Sequence, residues 1–235
     1  MKMSQTVLIT GASSGGIGFG FSEAFLKSGA TVVVTARHPE KDEGMQGLKR
    51  EYGNRYAART LDLTGQKVES ELDAIAREMG QLDILINCAG VYPKSDDNPL
   101  ERASFDDWAS AYLVNAVGPA RVTRALLPAL QKGSAPKLIN ITSLMGSIDD
   151  NASGGYYAYR MSKAALNMFN KSFSIDHPEI IAVVLHPGWV KTKMTGPEAP
   201  TTVEESVGGM MKVIEKLGRQ DSGQFFDFEG DVLPW

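Results

Sequence analysis

Cysteine and histidine are scarce in this chain, and their scarcity excludes several classes of protein. The only cysteine is Cys88, so no intrachain disulfide can form, and a cytoplasmic protein is the simpler expectation. The three histidines are His38, His177 and His186, and they do not have the spacing of a metal-ligand set. The sequence therefore predicts neither a disulfide framework nor a bound metal.

Excess positive charge and long apolar runs are also lacking. The chain has 24 Lys and Arg against 28 Asp and Glu, so its formal net charge is −4 and no basic field favours nucleic acid. The first apolar run, Val7-Leu8-Ile9, is too short for a secretory signal. No stretch approaches the roughly 18 apolar residues of a membrane helix. We therefore expect neither a nucleic-acid partner nor a membrane span.

The chain does contain short β-branched runs that alternate with helix-length segments. The predicted strands are residues 6–10, 31–35, 56–61, 84–87, 137–142, 181–186 and 224–228. The predicted helices are residues 18–28, 65–79, 105–130, 158–174 and 203–216. Several strands are continuously apolar, as in a parallel sheet that is covered on both faces. This order predicts an α/β fold with a doubly wound parallel sheet of about seven strands and helices on both faces.

A glycine-rich turn lies between the first predicted strand and the first predicted helix. Glycines at this place let the backbone approach a pyrophosphate, and the helix N-terminus offers free N–H groups to the anion. The residues predicted to contact the dinucleotide here are Gly11, Ser13, Ser14, Gly15, Gly16, Ile17 and Gly18. Together with the predicted sheet, the turn indicates a single Rossmann-type NAD(P)-binding domain over residues 1–235.

The end of the second strand indicates which dinucleotide is bound. NAD sites usually carry an Asp or Glu there to bind the ribose hydroxyls. This chain has Ala36 and Arg37 instead, and a guanidinium suits a 2′-phosphate. The sequence therefore favours NADP(H) over NAD(H).

A tyrosine and a lysine have the spacing of an acid/base pair. Three tyrosines cluster at positions 156, 157 and 159, and only Tyr159 has a lysine, Lys163, four residues later. Residues i and i+4 share a helix face. A free tyrosine has a pKa of about 10, and a neighbouring ammonium lowers the pKa of a tyrosine. We therefore expect Lys163 to lower the pKa of Tyr159.

Several motifs occur in an order that resembles the classical short-chain dehydrogenase/reductases along nearly the whole chain. Besides the glycine-rich turn and the Tyr159–Lys163 pair, they are Asp62-Leu63, Asn87-Cys88-Ala89-Gly90, Asn115, Ser143, and Pro187-Gly188-Trp189-Val190-Lys191-Thr192. Residues 157–163, 186–190 and 226–235 further resemble the C-factor-like and sniffer-like carbonyl reductase branch of that family.

This resemblance implies a reaction and a set of roles. The reaction is NADP(H)-dependent interconversion of a small-molecule carbonyl and an alcohol, with Tyr159 as the acid/base. Ser143 holds the substrate oxygen, Lys163 acts on Tyr159 and the nicotinamide ribose, and Asn115 anchors a water. The remaining implied cofactor contacts are Asp62, Leu63, Asn87, Ala89, Gly90, Pro187, Gly188, Val190 and Thr192. Family members pair through long helices, which implies a homodimer or homotetramer.

Two segments depart from the family pattern. Four residues instead of three separate Gly11 from Gly16-Ile17-Gly18, which we expect to be absorbed as a bulge at Ser14-Gly15. Ser143 and Tyr159 are 16 residues apart, which is longer than is typical, and we expect this segment to be an exposed excursion beside the substrate. The C-factor resemblance also leaves an alternative function open, namely a non-catalytic NADP(H)-binding signal or sensor protein.

Overall fold

The computed structural model describes residues 5–94 and 99–235, and within them strands and helices alternate. The strands are β1 (Thr6–Thr10), β2 (Thr31–Ala36), β3 (Tyr56–Thr60), β4 (Ile84–Asn87), β5 (Lys137–Ile141), β6 (Ile181–His186) and β7 (Phe225–Asp227). The helices are α1 (Ile17–Lys27), α2 (Glu43–Tyr52), α3 (Val68–Glu78), α4 (Phe105–Tyr112), α5 (Gly118–Leu130), α6 (Tyr157–Asp176) and α7 (Val203–Lys216).

The strands form one seven-stranded sheet in the order β3-β2-β1-β4-β5-β6-β7. Every pairing is parallel, and β1 lies between β2 and β4, where Val7 is in register with Val32 on one side and Ile84 on the other. The strand order reverses direction between β1 and β4, which is where doubly wound sheets bind their ligands. The predicted fold class is confirmed.

Helices cover both faces of the sheet, because successive side chains of a strand point to opposite sides. Val7 and Ile9 of β1 belong to an apolar cluster with Phe21 of α1. Leu8, between them, belongs to a second cluster with Leu72 of α3. Each face of the sheet is therefore covered by an apolar layer.

Helix boundaries differ from the sequence prediction in two places that concern the site. The helix predicted over residues 105–130 is interrupted by a π-helical turn at Leu113–Val117, which separates α4 from α5. Helix α2 was not predicted, because its sequence has two glycines and buries only Met45 and Leu48. The signal that could have revealed α2 is Asp42, whose side chain caps the helix by accepting from the Met45 amide.

The described residues contain neither a membrane-spanning helix nor a cluster of metal ligands. None of the helices in residues 5–94 and 99–235 is long and apolar enough to cross a membrane. In the same residues, no group of three or more His, Cys, Asp or Glu side chains is arranged to hold a metal ion.

Candidate active site

The predicted motifs meet at the carboxyl edge of the sheet, because parallel strands all end there. The glycine-rich turn follows β1, and the Ala89-Gly90 pair follows β4. These two ends touch, since a Cβ added to Gly11 would lie 2.5 Å from the Cα of Ala89. The hydroxyl of Thr10 joins them further by accepting from the amides of Cys88 at 3.1 Å and Ala89 at 3.2 Å. Close backbone packing therefore sets the position of the turn relative to β4.

Asn115 lies in the π-helical turn and is fully buried. Its Oδ1 accepts from the Val91 amide at 2.8 Å, and its Nδ2 donates to the Val91 carbonyl at 2.9 Å. The same Nδ2 donates to the Ser162 hydroxyl at 3.0 Å. The Asn115 side chain thus links the loop after β4 to α6. π-helical turns of this kind often occur at functional sites.

Lys163 extends from α6 under the site and is 4% exposed. Its Nζ donates to the Ile141 carbonyl at 2.9 Å and lies 5.7 Å from the centre of the Tyr159 ring. Burial lowers the pKa of Lys163 to about 8, although the neighbouring Cys88 acts in the opposite direction. This ammonium can therefore lose its proton close to neutral pH.

Tyr159 and Ser143 are joined by a hydrogen bond between their side chains. Burial raises the pKa of Tyr159 to about 12, and the bond to Ser143 acts in the opposite direction. The pKa of Tyr159 is therefore raised, whereas we expected it to be lowered. The reason is that desolvation disfavours the phenolate more than the hydrogen bond to Ser143 stabilises it. Ser143 is in turn oriented by the 3₁₀ turn Leu144–Gly146, whose Met145 amide donates to the Ser143 hydroxyl at 3.2 Å.

A row of buried amides supports the site from below. It contains the predicted residue Asn87, which is buried, and three asparagines that sequence reasoning missed, Asn140, Asn167 and Asn170. Asn87 donates to Asn140 Oδ1 at 2.8 Å, Asn140 donates to Asn170 Oδ1 at 2.9 Å, and Asn170 donates to the Ala182 carbonyl at 3.2 Å. Asn167 accepts from the Thr142 hydroxyl at 2.6 Å. Positions 167 and 170 lie four and seven residues after Lys163, so polar residues at helical spacing along one face were the available signal.

The glycine-rich turn fits the pyrophosphate of a dinucleotide. Gly16 is the N-cap of α1 and provides no side-chain cap, and the first turn of the helix has no acidic residue. The amides at this helix end, beginning with Ile17, therefore remain available to an anion. Within the turn, the Gly16 amide donates to the Ser13 carbonyl at 3.2 Å, and Gly15 has a φ of 78°.

Arg37 and Asp62 lie near each other at the carboxyl ends of β2 and β3. Arg37 is exposed. Asp62 accepts from the amide of Thr64 at 3.0 Å and from its hydroxyl at 2.8 Å. These two hydrogen bonds lower the pKa of Asp62, and the charge of Arg37 adds to their effect. Leu63, next to Asp62, is buried. This pair of charges lies where the adenosine half of a dinucleotide is expected.

The loop after β6 contains the predicted nicotinamide contacts Pro187, Gly188, Val190 and Thr192. Ser206 of α7 donates to the Pro187 carbonyl at 2.6 Å, a contact that sequence reasoning did not identify. The Lys191 amide donates to the Thr201 carbonyl at 2.8 Å. The loop is therefore held to the N-terminal part of α7.

An aromatic group forms the other side of the site. The Tyr92 ring centre lies 5.3 Å from that of Tyr159 and 6.3 Å from that of Tyr156. Tyr156 has a φ of 51° and is the one non-glycine residue with positive φ in the described residues. Arg160 holds the preceding segment by donating to the Ser153 hydroxyl at 2.9 Å and to the Met145 carbonyl at 3.4 Å. The long Ser143–Tyr159 segment is thus anchored at both of its ends.

Comparison with known proteins assigns a family to this arrangement. The sequence model of the family described as short chain dehydrogenase matches residues 5–203, and the chain belongs to that family of oxidoreductases. It is 48% identical over 158 residues to "C-signal" of Myxococcus xanthus, covering 66% of this chain and 94% of that protein.

Two solved structures are similar over nearly the whole chain. The NADPH-bound carbonyl reductase from chicken fatty liver has a TM-score of 0.90 at 35% identity and covers 99% of both chains. The carbonyl reductase Sniffer of D. melanogaster has a TM-score of 0.91 at 32% identity, covering 99% of this chain and 100% of that one. The resemblance to the carbonyl reductase branch that the motifs indicated is confirmed.

Proposed function

We propose that this protein is an NADP(H)-dependent oxidoreductase that interconverts a carbonyl and an alcohol. The observation that carries the proposal is the hydrogen-bonded Ser143–Tyr159 pair above the buried Lys163, at the edge of the sheet where the glycine-rich turn ends. The bound NADP(H) would supply or accept the hydride. The residues of the chain would handle the proton.

In the reductive direction, the substrate oxygen becomes negative and needs a proton and hydrogen-bond donors. Tyr159, with a pKa of about 12, is protonated at neutral pH and is therefore ready to donate. Ser143 would donate to the same oxygen and hold it beside the phenol. The ammonium of Lys163 would then stabilise the phenolate. Asn115, whose side chain is bonded to Val91 and Ser162, would act by holding the backbone around Lys163.

The preference for NADP(H) rests on Arg37. Its guanidinium is exposed beside the adenosine end and can form charge-assisted hydrogen bonds to a 2′-phosphate. Asp62 lies close enough to interact electrostatically with Arg37, but its carboxylate already accepts two hydrogen bonds from Thr64. The NADPH-bound state of the similar chicken carbonyl reductase supports the same preference.

The experiment compares two tyrosine-to-phenylalanine variants two residues apart. Tyr159→Phe should lower kcat with NADPH and a panel of aldehydes, ketones and quinones by about a thousandfold, because the proton donor is lost. The dissociation constant for NADPH should change little. Tyr157→Phe, whose ring stacks on Trp108, is the control and should retain activity. Full activity in Tyr159→Phe would refute the assignment.

A second candidate is a non-catalytic NADP(H)-binding signalling protein. The observation in its favour is the 48% identity to C-signal. The assay above distinguishes the two functions in the wild-type protein. Tight NADPH binding without turnover of any carbonyl in the panel would favour the signalling protein, and turnover would favour the reductase.

A further inference from the structure

The lengthened glycine-rich turn is attached to a second element of the fold. Ser14, beside the extra residue, donates from its amide to Asp42 Oδ2 at 2.9 Å, and its hydroxyl donates to Asp42 Oδ1. Asp42 is 28 residues away in sequence and also accepts from the Met45 amide at 3.1 Å as the N-cap of α2. One carboxylate thus holds both the turn and the start of a helix.

The first turn of α2 is built to come close to Ser14. Gly44 faces it, and a Cβ at this position would overlap the Ser14 hydroxyl and lie 3.0 Å from the Phe19 ring. Partial burial raises the pKa of Asp42, but the hydrogen bonds from Ser14 and Met45 outweigh this effect and keep the group ionised. Charge-assisted hydrogen bonds of this kind are about twice as strong as neutral ones.

We propose that Asp42 is a positioning residue for the dinucleotide, which holds the lengthened turn in the conformation that receives the pyrophosphate. The inference rests on the proposed function, because it concerns the cofactor of the same site. Asp42 would not touch the cofactor. It would act through Ser14 on residues 15–17, whose amides lie at the start of α1.

The physical reason is the cost of ordering a flexible turn. A turn with an additional residue has more backbone conformations, and a ligand that must select one of them binds more weakly. Attachment of Ser14 to α2 removes this freedom before binding. Because the pyrophosphate is common to NADPH and NADH, the attachment should affect both cofactors equally.

The test uses Asp42→Ser, since serine can still cap α2, but its one uncharged oxygen cannot replace the three hydrogen bonds that the carboxylate accepts from Ser14 and Met45. We expect the dissociation constants of NADPH and NADH, measured by fluorescence titration, to rise by about tenfold each. Hydrogen exchange at the Ser14 amide of the cofactor-free protein should accelerate. Ser104→Ala, which removes the N-cap of α4, is the control for loss of a cap and should leave both constants unchanged.

Gly44→Ala is a second variant that leaves Asp42 in place. Its added methyl group should push Ser14 from Asp42 while favouring the helix, so it remains informative if Asp42→Ser does not fold. Wild-type dissociation constants in the folded variants, or a loss confined to NADPH, would overturn the inference. A wild-type protein that binds neither cofactor would instead refute the proposed function.

Discussion

The buried floor and the more exposed rim of the site differ in how far their polar groups are removed from water. The floor consists of Asn115 and Lys163, which are buried and bonded to neighbouring backbone. The rim consists of residues 11–16 and residues 144–156, which are largely exposed or half-buried. The floor matches the family pattern, whereas both departures from that pattern lie in the rim.

The difference follows from the cost of burying polar groups. A buried amide or ammonium needs all of its partners, so a change at one floor position leaves others unsatisfied. The rim can accommodate additional residues, because its backbone N–H and C=O groups can form hydrogen bonds to water. In this chain, hydrogen bonds from other elements then anchor each lengthened segment: Asp42 accepts from Ser14, and Arg160 donates to Met145 and Ser153.

The largest effect on stability is expected in the floor. Asn115→Leu keeps the shape of the side chain but removes its three hydrogen bonds, so the free energy of unfolding in urea should fall by about 3 kcal/mol. Ser153→Ala removes a hydrogen bond from the rim and should cost less than about 0.5 kcal/mol. Equal losses in the two variants would remove the distinction between floor and rim.

A smaller effect is expected where the rim meets the end of β6. Burial lowers the pKa of His186 to about 4, although Asp227 and Asp150 of the rim act in the opposite direction. Between this value and the ordinary pKa of about 6.5, the unfolded chain binds more protons than the folded one. The free energy of unfolding should therefore fall by about 2 kcal/mol as the pH falls through this range.

Urea unfolding of wild type and His186→Gln at pH 7 and pH 4.5 isolates this contribution. The variant should lose less stability on acidification than the wild type does. His38→Gln, at an exposed position, is the matched control and should behave as the wild type. An unchanged pH dependence in His186→Gln would contradict the prediction.

A third and still smaller effect on stability than at His186 is expected at the glycines of the rim. Gly154, Gly155 and Tyr156 have φ values of 66°, 65° and 51°, and this reversal places Tyr156 beside Tyr92 before α6 begins. Gly155→Ala should lower the free energy of unfolding by about 1 kcal/mol, because a Cβ is strained at this φ. It should also raise the KM for the carbonyl substrate and leave the dissociation constant of NADPH unchanged.

Gly53→Ala provides the comparison for that variant. Gly53 also has a positive φ, 56°, and an added Cβ would meet no atom within 4 Å at either position. A Cβ is strained at both positions, so both variants should lose stability, but only Gly155→Ala should alter the substrate KM. A change in substrate KM in Gly53→Ala would mean that strain in general, and not the position of Tyr156, affects the site.

Local patterns predicted most of the fold. Strands β1, β4 and β6 and helix α7 have the predicted boundaries, because each is an apolar or amphipathic run bounded by turn residues. Helix α2 was missed because its glycines weaken the helical pattern, and its stability depends on Asp42 and on packing against the sheet. The π-helical turn was also missed, since it depends on the bonds that Asn115 makes to Val91 and Ser162.

By itself, the sequence determined the fold class, because the alternation of strands and helices follows from periodicity, and the order of its motifs indicated the family by resemblance. Only the tertiary structure decided that Tyr159 has a raised pKa, that Ser14 is bound to Asp42, and that a row of amides supports the site. Burial and contacts between residues far apart in the chain set these properties. Neither the burial nor these long-range contacts can be read from the local spacing of the residues.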